Sequence, residues 1–249
     1  MHEHDETAPD EALAVLGAVR RCLEDVIAFE GSVALLPPGG AAGTAGRAAG
    51  APGAAVPAPG QTCRGAALEA LRREICTCSC CRLASSRRRF VFGAGAPDAG
   101  IMFIGEAPGE EEDLQGEPFV GAAGQLLTRI IEAMKLRREQ VYIANAVKCR
   151  PPGNRDPRED ELAACAPHLR RQIAIVRPRV LCTLGRVAAQ ALLRTDAPLG
   201  RLRGRLHEYD GIPVICTYHP AALLRQPEYK RPTWEDVKWL RQQYDGVQL

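Results

Sequence analysis

The chain has 249 residues, of which 46% are apolar, 25% charged and 5% aromatic, enough for one core of about 150 to 200 residues plus an extension. Its 32 Lys and Arg against 30 Asp and Glu give a formal charge of +2, but the sign is divided along the chain. Residues 1–60 carry a net −5 and residues 61–249 a net +7, so the larger part is basic, as an anionic partner would require.

The N-terminus MHEHDETAPDEALAVLG lacks the basic start and long apolar run of a signal peptide. No apolar stretch approaches the roughly 20 residues that span a membrane, so no membrane association is expected. The chain reads as cytoplasmic, where clustered thiols serve a metal or redox centre more often than a disulfide framework.

In chain order, Leu16, Val19, Leu23 and Val26 recur at helical spacing and predict a short amphipathic helix within residues 1–30. Such a helix is marginal alone and suits local packing or a docking peptide for an unidentified partner protein. Residues 31–62 include the run PPGGAAGTAGRAAGAPGAAVPAPG and are expected to form a disordered linker. The remaining domain is expected over 63–249.

From residue 100 the pattern alternates. Ile101 to Ile104, Val141 to Ala144, Val180 to Leu184 and Val214 to Thr217 are apolar runs of strand length. Between them, Leu126, Leu127, Ile130, Ile131 and Met134 repeat at helical spacing, as do Leu162, Cys165, Leu169, Ile173 and Val176. Strands separated by helices imply a parallel sheet covered on both faces, with its ligand crevice beyond the carboxyl ends of the strands.

The segments after the strands carry the candidate chemistry. GEAPGEEED at 105–113 is a turn whose backbone N–H groups could hold developing negative charge, with a carboxylate at Glu106. EPFVGAAG follows, in which Phe119 would ordinarily be core. NAVKCRPPGNRDP at 145–157 places Asn145 at a strand end, where its amide could read a heterocycle or simply form a turn. The basic, Pro-stiffened loop behind it suits a phosphate backbone. TYHPAALLR at 217–225 puts His219 immediately after a strand, a position from which it can supply a hydrogen bond or a charge. The apolar residues beside Arg225 could wedge into stacked bases.

Cys76, Cys78, Cys80 and Cys81 crowd together, while Cys149 and Cys165 lie in a loop and on a helix. Two pairs brought together would make a four-thiolate site. Zinc ribbons favour two C-x2-C knuckles and only one is present; an iron-sulfur cluster tolerates the scattered pair better. Cys182 and Cys216, inside strands, are expected to be inert.

Taken together, CSCCRLA, GEAPGEEED, EPFVGAAGQLL, NAVKCRPPGNRDP, LGRVAAQALL, LRGRLHEYDGIPVICTYHPAALL and KRPTWEDVK resemble, in this order, the family 4 uracil-DNA glycosylases, from about Cys78 to Asp236. The resemblance implies an α/β fold, a three-layer α/β/α sandwich around a four-stranded parallel sheet. It implies a [4Fe-4S] cluster held by Cys78, Cys81, Cys149 and Cys165, with a structural role, and leaves Cys76 and Cys80 as extra thiols. The implied reaction is hydrolysis of the N-glycosidic bond of deoxyuridine in single- or double-stranded DNA by a monomer. Phe119 is then expected to stack on uracil and Asn145 to pair with its O4 and N3 edge. Backbone at Gly105, Glu106 and Ala107, together with His219, would stabilise charge on the leaving base. Glu106 would orient water or the sugar cation, although its neighbour is Ala107 where glycosylases of another family place an Asp. Glu112 would fill the space of a thymine methyl, Arg155 and Arg225 would contact DNA, and Leu223 would be the wedge. Two other classes fit parts of the pattern: a non-catalytic iron-sulfur module that binds DNA, and a zinc-stabilised interaction protein acting through residues 1–30. Neither needs Asn145 or His219.

Overall fold

A computed structural model describes residues 59–246. The N-terminal helix expected within residues 1–30, and nearly all of the expected linker, lie outside the described residues. Helix α1 begins at Pro59 and runs to Ile75, so residues 59–62, assigned to the linker from composition, form its first turn.

Six strands make one sheet: β1 (Ala94–Gly95), β2 (Ile101–Gly105), β3 (Tyr142–Asn145), β4 (Val180–Leu184), β5 (His207–Tyr209) and β6 (Ile212–Thr217), in the order β1-β3-β2-β4-β6-β5. The inner four are parallel and are the four apolar runs of the sequence. The expected four-stranded sheet is therefore corrected to six, because β1 and β5 pair antiparallel on the two edges. β1 is two residues long and Gly95 holds φ 126°, too short for any periodicity. β5 and β6 are joined through Asp210 and Gly211, both left-handed at φ 49° and 79°, which is the Asp-Gly turn that matches strand twist in a tight hairpin.

The strands are buried on both faces and split strictly by alternation. Met102, Ile104, Tyr142, Ala144, Leu181, Val214 and Cys216 point into one core, shared with α1, α4 (Glu159–Val176) and α5 (Arg186–Leu193). Ile101, Phe103, Ile143, Val180, Cys182 and Ile215 point into the other, shared with α3 (Ala122–Ala133) and the C-terminal helix α8 (Lys230–Asp245). Two helical layers around one sheet make the expected sandwich. Short helices α2 (Glu110–Gln115), α6 (Leu199–Leu202) and α7 (Pro220–Arg225) complete it.

The chain passes from β2 to β3 on one side and then returns to β4 on the other, so the carboxyl ends of β2 and β4 open onto a crevice between diverging connections. A polar latch ties α8 to the neighbouring strand. Asp236, 4% exposed, accepts from Thr217 Oγ1 at 2.6 Å and from Arg203 Nε at 2.8 Å. Removing one partner of such a buried pair strands the other. Asp236→Ala is expected to destabilise the fold by about 3 kcal/mol, read as a lower urea midpoint at unchanged m-value, whereas an unchanged midpoint would mean that the latch is solvated.

Candidate active site

A pocket of about 380 Å³ lies at the carboxyl ends of the strands, lined among others by Glu106, Phe119, Asn145, Asp156, His219 and Arg225. Sequence positions far apart are gathered here because β2, β3 and β6 all end at this edge.

Gly105 ends β2 and pairs with Asn145 at the end of β3. A Cβ on Gly105 would lie 2.4 Å from Asn145 Oδ1 and 2.6 Å from the Phe119 ring, so the amide and the ring stand together only because residue 105 has no side chain. Phe119 itself takes φ 54°, a left-handed conformation costly for an aromatic residue. Arg138 donates Nη2 to the Pro118 carbonyl at 2.6 Å, and Glu112 fixes the other side of the turn. Its Oε1 accepts the N–H of Val120 at 2.9 Å and of Gly121 at 3.1 Å, and its Oε2 the N–H of Gly109 at 3.1 Å. Glu112 also lines the pocket, with its carboxylate held in place by three backbone donors.

Asn145 is 1% exposed, and its Oδ1 is buried with no partner. An unpaired buried acceptor costs about 1–3 kcal/mol, and here it sits beside an aromatic face, a form that asks for a planar ligand with an N–H. Its backbone carbonyl accepts from Lys148 Nζ at 2.8 Å, and Lys148 also donates to Gln172 Oε1 at 2.6 Å. Gln172 in turn donates to the Phe92 carbonyl at 2.9 Å and to Tyr142 Oη at 3.2 Å. Lys148 is wholly buried, and burial brings its pKa down to about 8. Sequence reasoning missed this support because a buried lysine runs against the ordinary distribution.

His219 caps α7. The N–H of Ala221 donates to its Nδ1 at 3.1 Å, which leaves Nε2 to carry the ring proton. Burial, aided by the charge of Arg225, holds its pKa down to about 4, so the imidazole is neutral at pH 7 and offers a hydrogen bond rather than a cation. Its ring stacks against Phe119 with centroids 5.5 Å apart. Glu106 moves the opposite way. Burial and the neighbouring Asp156 raise its pKa to about 7, against the pull of Arg186. Ala107 lines the same pocket.

Two residues expected at the DNA surface have other surroundings in the fold. Leu223 is 3% exposed and belongs to the packing of α7, whereas Leu224 is 44% exposed beside Arg225; the apolar side chain available to a partner is Leu224. Arg155 is not a free cation but is paired with Glu161. It donates Nη1 to Glu161 Oε2 at 2.8 Å and Nη2 to Oε1 at 2.7 Å, and these bonds hold the Glu161 carboxyl down to about 2.

The thiols form a separate centre. Cys149 and Cys165 are buried with Leu83 and Val147, and Cys81 packs against them. Cys78 lies 3.2 Å from His168 Nε2 through its Sγ, and Arg87 Nη1 donates to Cys149 Sγ at 3.3 Å and to the Cys78 carbonyl at 2.7 Å. Cys76 and Cys80 are exposed, while Cys182 and Cys216 are buried in strands as expected. None of the described cysteines is in a disulfide. Among the described residues no three His, Cys, Asp or Glu side chains converge on a single-ion site.

An orphan amide acceptor, a stacked ring and a neutral imidazole at the end of a parallel sheet define a protein that grips a planar heterocycle. Residues 92–240 match the uracil DNA glycosylase superfamily. The chain is 45% identical over 185 residues to the type-4 uracil-DNA glycosylase of Sulfurisphaera tokodaii, covering 71% of this chain and 84% of the relative. It is 43% identical to that of Archaeoglobus fulgidus, covering 69% and 90%, and 41% identical to that of Thermotoga maritima, covering 70% and 93%. The chain belongs to this superfamily and, within it, to the type-4 uracil-DNA glycosylases.

Gly105→Ala is expected to abolish detectable excision from a uracil-containing oligonucleotide while leaving the fold intact by circular dichroism. A methyl group there must displace Asn145 or Phe119, and a misplacement of about 1 Å can cost roughly a hundredfold. Activity within about threefold of the parent would mean that the pocket walls move freely.

Proposed function

We infer that the chain excises uracil from DNA by hydrolysing its N-glycosidic bond, leaving an abasic site for repair. The observation that carries this reading is the unpartnered Asn145 Oδ1 beside Phe119. Uracil presents a donor at N3 and an acceptor at O4, which the Asn145 carbonyl and amide match together.

A base within a duplex must be extruded, at a cost of a few kcal/mol. Leu224 is the side chain suited to fill the gap, with Arg225 beside it. The extruded ring stacks on Phe119. As the glycosidic bond breaks, its electron pair goes to N1 and O2 of the uracil, and the Nε2–H of His219 donates to O2. A fixed neutral donor stabilises that charge without reorganisation. Glu106, once ionised, accepts a hydrogen bond from the attacking water and opposes the positive charge of the sugar. The water oxygen bonds to C1′ and its proton passes to Glu106 and on to solvent, while the uracil anion leaves and takes a proton from solvent, so the products are the free base and a hydroxyl on the abasic sugar.

Cys78, Cys81, Cys149 and Cys165 would hold a [4Fe-4S] cluster. What supports this is the donor set: four free thiols from three segments, with an N–H of Arg87 near the Cys149 sulfur and Nε2 of His168 near the Cys78 sulfur. Each thiolate of such a cluster binds a different iron, so the sulfurs need not converge on one point. The cluster supplies a covalent staple between the segment after α1, the loop after β3 and helix α4. A non-catalytic DNA-binding module would need none of the pocket chemistry.

Excision is tested with a uracil-containing oligonucleotide followed by alkaline cleavage at abasic sites. Asn145→Ala should lose at least about a hundredfold in rate, since both base-edge bonds go. Asn145→Asp offers an acceptor to the cytosine amine and, when protonated, a donor to its N3, so the uracil-to-cytosine rate ratio should fall relative to the parent. Near-parental uracil excision by both variants would make Asn145 a turn residue.

Iron and acid-labile sulfide should co-purify under anaerobic conditions with broad absorption near about 400 nm. Cys165→Ser should lose both and lower the melting temperature, and Cys76→Ser or Cys80→Ser should lose neither. Stoichiometric zinc without iron would refute the cluster.

A further inference from the structure

Leu224 and Arg225 lie within a segment whose two ends are clasped by aromatic rings. Tyr218 directly follows β6, and Tyr229 ends a 3-10 turn over Pro227–Tyr229. Their rings stack with centroids 4.1 Å apart and planes 3° from parallel. Between them lie His219, α7 and Gln226. Arg203 adds a third layer, its Cζ 4.3 Å from the centre of the Tyr218 ring, a distance at which a guanidinium is drawn to an aromatic face. That cation is fixed in turn, since its Nε donates to Asp236 Oδ2 at 2.8 Å and its Nη2 to the Pro232 carbonyl at 2.7 Å. The start of α8 also holds the second ring, through Thr233 Oγ1, which donates to the Tyr229 carbonyl at 2.7 Å.

A helix of six residues is unstable alone, so the direction of α7 must come from what it is attached to. Leu223 anchors one side of it in the protein. Backbone hydrogen bonds then run along the segment from ring to ring: the N–H of Ala222 donates to the His219 carbonyl at 2.8 Å, that of Gln226 to the Ala222 carbonyl at 2.8 Å, and that of Tyr229 to the Gln226 carbonyl at 3.1 Å. The segment is a stiff arch with Leu224 exposed on it, and the stacked rings close its base. Arg203, Tyr218 and Tyr229 are not among the residues that line the base pocket, so the stack acts on the arch rather than on the base.

We propose that the Arg203–Tyr218–Tyr229 stack positions the wedge: by closing the base of the arch it holds Leu224 in the direction from which it enters a duplex as the uracil leaves. This rests on the reading of Leu224 as the side chain that fills the gap. Extruding a base from a duplex is costly, and a base in a single strand is already free of its partner, so a wedge that points the wrong way penalises the duplex substrate. His219 stands on the same arch but serves either substrate, and its displacement would slow both alike. The two effects are therefore separable by comparing strand forms.

The test is single-turnover excision by the full chain from one uracil oligonucleotide, first single-stranded and then annealed to its complement, read as the ratio of the duplex rate to the single-strand rate. Tyr229→Leu removes the ring but keeps an apolar side chain, and should lower that ratio by about tenfold, the upper end of what one aromatic pair contributes. Tyr229→Phe keeps the ring and should retain the parental ratio. Leu224→Ala should lower the ratio too, and adding Tyr229→Leu to it should lower it little further, since both changes act on one wedge. Both substrates are read with the same preparation, so a loss of folded enzyme cancels in the ratio. A ratio unchanged in Tyr229→Leu while Leu224→Ala lowers it, or a Tyr229→Phe that falls as far as Tyr229→Leu, would overturn the proposal. A ratio unchanged in Leu224→Ala would remove the wedge reading and the proposal with it. Failure of the parent to release uracil from either strand form would instead refute the glycosylase reading itself.

Discussion

The absence of a side chain at residue 105 is the constraint on which the site depends. Parallel pairing places Gly105 directly beside Asn145, and the space a Cβ would fill is taken by the Asn145 amide and the Phe119 ring. Strand register thus sets the spacing between the Asn145 amide and the Phe119 ring. Phe119 reaches this position through a left-handed backbone, and the following helix must come close to it: a Cβ on Gly124 would lie 1.8 Å from the Phe119 carbonyl oxygen. Two glycines make the room for Phe119, one on a strand for its ring and one on a helix for its backbone. Glu112 and Arg138 then hold the turn against relaxation.

How much of this was legible follows from how each part is buried. The four central strands stood out as apolar runs because helices cover both their faces. The edge strands did not, since β1 has two residues and β5 is partly exposed, although the Asp210-Gly211 turn before β6 carried a hairpin signal that could have been used. His219 lines the pocket, as a residue directly after a strand end can, because the strand end fixes which residue meets the crevice. The choice between Leu223 and Leu224 failed because α7 spans only Pro220–Arg225, too short for its buried face to be read from periodicity. Arg155 looked like a free cation in a basic loop; its partner Glu161 occupies the first turn of α4, where an acidic residue is already explained by helix capping. Sequence gave no sign that one carboxylate serves both the cap and the arginine. Lys148, Gln172 and Tyr142 were invisible for the same reason: each hydrogen bond joins elements whose proximity exists only in the folded chain.

The two titrating groups of the pocket bear on stability in opposite pH ranges. Glu106 has a folded pKa of about 7, raised by burial from the ordinary 4.5. An acid with a raised folded pKa favours the native state while protonated, and that favour is lost as pH climbs from the unfolded value through the folded one. His219 has a folded pKa of about 4, lowered by burial from 6.5. A base of this kind resists protonation when folded, so stability falls as pH drops from 6.5 toward 4. For His219 the full difference is roughly 3 kcal/mol, from about 1.4 kcal/mol per pKa unit. Near neutrality the imidazole has no such penalty, and Glu106 is midway through its own transition.

That balance explains why the surrounding scaffold carries so many locked ion pairs and clamps. Arg155 on Glu161, Arg203 on Asp236 and Lys148 on the Asn145 carbonyl are all placed within one or two elements of the pocket. They hold the loop before α4, the end of β6 and the end of β3, the same backbone segments that present Asp156, His219 and Asn145. A pocket that keeps an amide acceptor unpaired, an imidazole neutral and a carboxyl group half protonated is unfavourable by itself. It persists because the segments bearing those groups are fixed from behind by hydrogen bonds that relaxing any one of them would break.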